Sequence, residues 1–95
     1  MFDSELPDED DMKLDTGFIE IVANMTKESL HKVHEGGEID SSYANAALGI
    51  LGHSNENCID IYEAARQLNY DILESTDLAI VEGLRRYLDD ISQYK

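Results

Sequence analysis

The chain has a single proline, Pro7, and none after it. Proline removes a backbone donor and breaks helix interiors, so nothing of that kind interrupts residues 8–95. It has one cysteine, Cys58, which excludes an intramolecular disulfide and a zinc knuckle. A reducing, cytoplasmic compartment is the expected home. Tryptophan is absent, and aromatic content is only 7%, mostly tyrosine. No apolar run approaches the roughly 18 residues needed to span a bilayer. The opening MFDSELPDEDD is acidic where a signal peptide is basic and then apolar. Positive charge is the scarcest commodity: 7 Lys and Arg face 21 Asp and Glu, for a net charge of -14. Such a field repels nucleic acid and anionic membranes, so neither is an expected direct partner.

What is present reads as helix. Ninety-five residues make one domain, and the 42% hydrophobic content supports a thin core. Residues 1–14, with six acids and one lysine, read as an acidic flexible tail, and residues 15–95 as the helical domain. No segment alternates strictly enough to predict a strand. The expected fold class is all-α: a small single-domain bundle of three to four helices with an acidic N-terminal tail.

The last third, STDLAIVEGLRRYLDDISQYK, anchors that expectation. Ser75 or Thr76 is the predicted cap, Asp77 meets the positive end of the helix dipole, and Leu78, Val81, Leu84, Leu88 and Ile91 form an apolar stripe. A first helix is predicted from Gly17 to Glu35, capped by Asp15 or Thr16. Its inner side is Phe18, Ile21, Val22, Met25, Leu30 and Val33, and Gly36-Gly37 ends it. A second, capped by Asp40 or Ser41 and stopped by Gly52, carries Tyr43 or Ala44, then Ala47, Leu48 and Leu51 on its inner face. Its small residues suggest the central, most buried helix. A third is expected from a cap at Ser54 or Asn55 to about Asn69.

Several constellations bear on chemistry. Glu28 and His31 stand at the Glu-x-x-His step of carboxylate-bridged metal bundles, with His34 and Glu35 beside them. The second Glu-x-x-His such sites require is missing, and solvated helix faces commonly carry this mixture. Cys58 and His53 have the types of a nucleophile–base pair. A small buried cysteine on the third helix is the simpler reading, since so short a chain has little room for a substrate cleft. There is no phosphate-binding glycine loop and no dinucleotide fingerprint. No enzyme activity, metal or cofactor is therefore expected. Arg85 and Arg86 are ringed by acids, and Glu82 to Arg86 has the favourable i,i+4 order.

The remaining signal is acidic surface. Glu56, Asp60 and Glu63 fall on successive turns of the predicted third helix, roughly 6 Å apart, close to the phosphate spacing of a nucleic-acid strand. Asp71, Glu74, Asp77, Asp89 and Asp90 extend the array, and Tyr70, Tyr87 and Tyr94 are candidate interface anchors. Ordinary solvation explains the acids equally simply, with Tyr62 and Tyr87 then at the core edge. In size, charge and helicity the chain resembles the small acidic proteins that phages and mobile elements encode to block host nucleic-acid-binding enzymes, anti-restriction and anti-CRISPR proteins among them. That resemblance is one of type and transfers no residue. It implies an inhibitor whose carboxylates stand in for DNA phosphates on the basic surface of a partner. The alternative is a helical adaptor or homodimer working through Ile19, Ile50, Ile61 and Ile80, which fall off the main stripes.

Overall fold

The computed structural model describes residues 15–93, which form four helices and, among those residues, no strand. The expected tail (1–14) and Tyr94 lie outside the described residues.

Helix α1 spans Thr16–His34. Asp15 precedes it in extended backbone, and its carboxylate accepts the Phe18 N–H at 3.2 Å. That satisfies one of the donors every helix start leaves open. Gly36, at φ +100°, turns the chain away, with the Gly37 N–H donating back to the Lys32 carbonyl at 2.8 Å. Helix α2 spans Ser42–Asn57, and the Ser41 hydroxyl accepts from the Tyr43 and Ala44 N–H groups. It runs through Gly52, whose missing side chain faces open space, and ends where Cys58 turns left-handed at φ 57°. Helix α3 is the short Ile61–Gln67, capped by the Asp60 carboxylate 2.7 Å from the Glu63 N–H. Asn69 at φ 72° closes it, with the Asn69 and Tyr70 N–H groups donating to the Arg66 and Ala65 carbonyls. Helix α4 spans Ser75–Ser92.

Helices α1 and α4 run parallel. The Asp15 N–H donates to Ser75 Oγ at 2.6 Å at one end, and His31 Nε2 lies 3.2 Å from Asp90 Oδ2 at the other. Between them the helices nearly touch. A Cβ on Gly83 would come within 2.5 Å of the Thr26 Cβ and 2.8 Å of the Ala23 carbonyl oxygen. Thr26 is fully buried, and its hydroxyl donates to the Val22 carbonyl at 2.8 Å, so no polar group is stranded in the seam. Around this line Leu30, Ile50, Val81 and Leu84 form the centre of the core, with Ala44, Ala47, Ala64 and Ala65 closing it from α2 and α3.

Four expectations are corrected here. The buried stripe of α1 is Ile19, Val22, Ala23, Thr26 and Leu30, whereas Ile21 and Met25 are exposed. The close approach at Gly83 selects the small-residue face, turned by about one residue from the largest apolar side chains. The central helix is α4, which buries six residues against four for α2 and packs on all three others. Ser75 serves α1 instead of capping its own helix, and Glu74 holds the cap position without a side-chain bond. Finally, Gly52 is no stop and the third helix starts at Ile61, so Cys58 is an exposed corner residue and not a buried helical one.

Candidate acidic interface

The redrawn corner separates the three acids expected on one helix. Glu56 is exposed in the last turn of α2, Asp60 is the α3 cap, and Glu63 is in the first turn of α3. A regular ladder on successive turns of a single helix is therefore not formed. Glu63 is also engaged: Arg66 donates to it at 3.0 Å and Gln67 at 3.3 Å.

Asp71, Glu74 and Asp77 gather at the start of α4. Asp71 accepts the Leu73 N–H at 2.9 Å, and its own N–H donates to Asp77 Oδ2 at 2.7 Å. Asp15 joins them across the Ser75 bond. Two parallel helices place their positive dipole ends side by side here, which favours negative charge at this pole. At the opposite pole the last turn of α1 contributes His31, Lys32 and His34. Asp90 sits there between Lys27 (3.6 Å) and His31 (3.2 Å), and Asp89 accepts from Arg85 at 2.8 Å. Bonding to His31, helped by Lys27, holds the Asp90 carboxyl below the ordinary carboxylate range.

The tyrosines divide. Tyr87 is 7% exposed and lies in the core, its ring edge-on to His31 with centroids 5.0 Å apart. It presents no ring to a partner. Tyr70 is half-buried against the same core. Tyr62, not an expected site residue, donates its hydroxyl to Glu82 at 2.8 Å. Arg85 reaches Glu82 through both Nε (2.9 Å) and Nη2 (3.2 Å) and so lowers the Glu82 carboxyl, while burial and that carboxylate raise the Tyr62 hydroxyl. Arg86 does not take up its expected pairing with Glu82. It reaches across the seam to Glu20 at 2.7 Å and Asn24 at 3.2 Å, and holds the Glu20 carboxyl low.

Taken together, the cations are used up at home. All five described Lys and Arg residues are ion-paired within the chain: Lys27, Lys32, Arg66, Arg85 and Arg86. No described cation pairs with Glu56, Asp60, Asp71, Glu74 or Asp77. This division was not visible in sequence, because it depends on cations that cross the seam: Arg86 from α4 to Glu20 and Lys27 from α1 to Asp90.

His53 Nε2 is 2.9 Å from Gln67 Oε1, tying the end of α2 to α3, and Cys58 is exposed. Among the described residues no three His, Cys, Asp or Glu side chains are grouped to hold a metal ion, and no helix is long and apolar enough to cross a membrane. Ile19, Ile50 and Ile80 are core residues, and Ile61 packs against the core, so these four form no exposed apolar face. No protein-family model matches the chain, and no curated protein or solved structure shows significant similarity to it.

Proposed function

We propose that this protein is a non-enzymatic acidic regulator that binds the basic, nucleic-acid-binding surface of a partner protein. One observation carries the reading: every described cation is paired within the chain, while Glu56, Asp60, Asp71, Glu74 and Asp77 have no cationic partner among the described residues. A surplus held on a rigid frame attracts an oppositely charged groove and steers association. The support lies in the charge itself and not in any regular phosphate-like spacing.

The test is retention on the immobilised chain. Extract of the source cells is applied at low salt, and bound proteins are eluted with short duplex DNA at constant ionic strength, then identified by mass spectrometry. Nucleic-acid-binding proteins displaced by DNA, with affinity falling steeply as salt rises, are the expected result. A principal ligand that DNA cannot displace, or whose affinity ignores salt, overturns the reading.

A further inference from the structure

Among the described residues, large apolar side chains stay exposed at Leu68 and Leu73 after α3, and on and beside α1. Ile21 (62% exposed) and Met25 (47%) stand one turn apart on the outer face of α1, and Ile39 (44%) lies in the loop entering α2. That loop is pinned to α1 by Asp40, which accepts from Ser29 at 3.0 Å and from Lys32 at 2.7 Å. A shallow hollow of about 240 Å³ opens between loop and helix, lined by Met25, Glu28, Ser29, Lys32, Asp40 and Ser41. Glu28 on its wall, and Glu38 next to Ile39 in the chain, are in no ion pair among the described residues, although Glu28 still acts through space on Lys32, one turn on, whose ammonium bonds Asp40. The hollow is pre-formed by the Asp40 bonds and combines the Met25 side chain with two carboxylates, Glu28 and Asp40, set against the one ammonium of Lys32.

We propose that this hollow and the strip beside it dock a basic amphipathic segment of the partner, with aliphatic side chains on Ile21, Met25 and Ile39 and a Lys or Arg on Glu28. The proposal rests on the reading above that partners are basic, and adds the site and the apolar half of the contact. Charge selects the occupant. A second copy would bring another net -14, and residues 1–14 would bring six acids and one lysine. Either sets like charge against Glu28 and Glu38, which is unfavourable where water is excluded. A basic segment pairs with both and covers the aliphatic strip as well.

Two synthetic peptides of equal length and charge serve as probes: a leucine–lysine helix former, and its counterpart with serine for leucine. Each is titrated into the full-length isotope-labelled chain and followed by NMR shifts and fluorescence anisotropy. The leucine–lysine peptide is expected to bind about tenfold more tightly, shifting the signals of Ile21, Met25, Glu28 and Ile39. The double variant Ile21→Ser, Met25→Ser should remove that advantage and leave the serine–lysine peptide's affinity unchanged. Both positions are exposed, so the fold should hold; if circular dichroism shows otherwise, the wild-type shift map decides. Equal binding of both peptides with shifts spread over the acids overturns the docking site and leaves the acidic-surface reading standing. No binding of either peptide overturns both. Shifts of the same four residues on concentrating the protein alone assign the strip to a second copy. Contacts between Ile21 and residues 1–14 in the free chain assign it to the tail. Either assignment overturns the proposal.

Discussion

The seam between α1 and α4 joins residues some 60 positions apart in the chain, as from Asp15 to Ser75. The corner between α2 and α3 is made by neighbours: Cys58 in a left-handed turn, Asp60 two residues on, and Ser54 donating its hydroxyl to the Ile59 carbonyl. The seam excludes side-chain volume at Gly83 and spends its charges in pairs across the gap. At the corner Glu56, Cys58 and Asp60 are exposed, Asp60 caps α3, and Glu63 is paired with Arg66. The seam matches Arg86 and Lys27 to carboxylates on the facing helix, whereas Glu56 and Asp60 at the corner, where local turn chemistry replaces packing, have no cationic partner among the described residues.

That contrast can be broken by substitution, starting with the largest effect. Leu84→Ala at the fully buried centre should cost about 3 kcal/mol in urea unfolding. Gly83→Ala should come next. Overpacking against Thr26 and the Ala23 carbonyl costs about 3 kcal/mol at the upper end, against about 1 kcal/mol gained in helix propensity, leaving a loss near 2 kcal/mol. A stabilised Gly83→Ala protein would mean the helices do not approach as described. At the corner, Asp60→Ala should cost only about 1 kcal/mol, with faster amide exchange confined to α3. Cys58→Gly should be neutral or stabilising by about 0.5 kcal/mol, since glycine enters the left-handed region without steric cost.

The smallest effect is in acid. The Arg85 bonds depress the Glu82 carboxyl below its ordinary 4.5, so its folded value lies under its unfolded one. Its contribution is present above the unfolded value and disappears as pH falls through the folded value. Glu82→Gln should therefore narrow the difference between the unfolding free energies from urea titration at pH 7 and pH 3 by no more than about 1 kcal/mol, the group being partly solvated. An unchanged difference would show that the Tyr62–Glu82–Arg85 contact between α3 and α4 adds nothing to the pH dependence of stability.

Much of this was readable from residues whose signal is local. Asp15 and Ser41 stand where a cap must, Gly36 where a helix must end, and the broad apolar side of α4 follows from its periodicity. The errors arose where a distant residue decided the outcome. Ile21 and Met25 are larger than Ala23 and Thr26, so they looked like the inner face. Only Gly83, some 60 residues away, makes the smaller pair the better surface to bury. Gly52 looked like a stop because glycine usually serves that purpose, but here Cys58 takes the left-handed conformation, which few non-glycine residues adopt. With that boundary displaced, Asp60 passed for a surface acid when it is a cap. The acids were legible as a surplus. Which of them stay unpaired follows from the reach of Arg86 and Lys27 across the seam, which no local pattern encodes.

The side-by-side, same-direction run of the first and last helices also fixes how the domain can be attached to anything else. A label or fusion joined ahead of Asp15 and one joined beyond Gln93 must leave from opposite poles, separated by the 18-residue length of α4, or about 27 Å along its axis. A leading attachment starts from the pole of Asp71, Glu74 and Asp77, and a trailing one from the pole of His31 and Asp90.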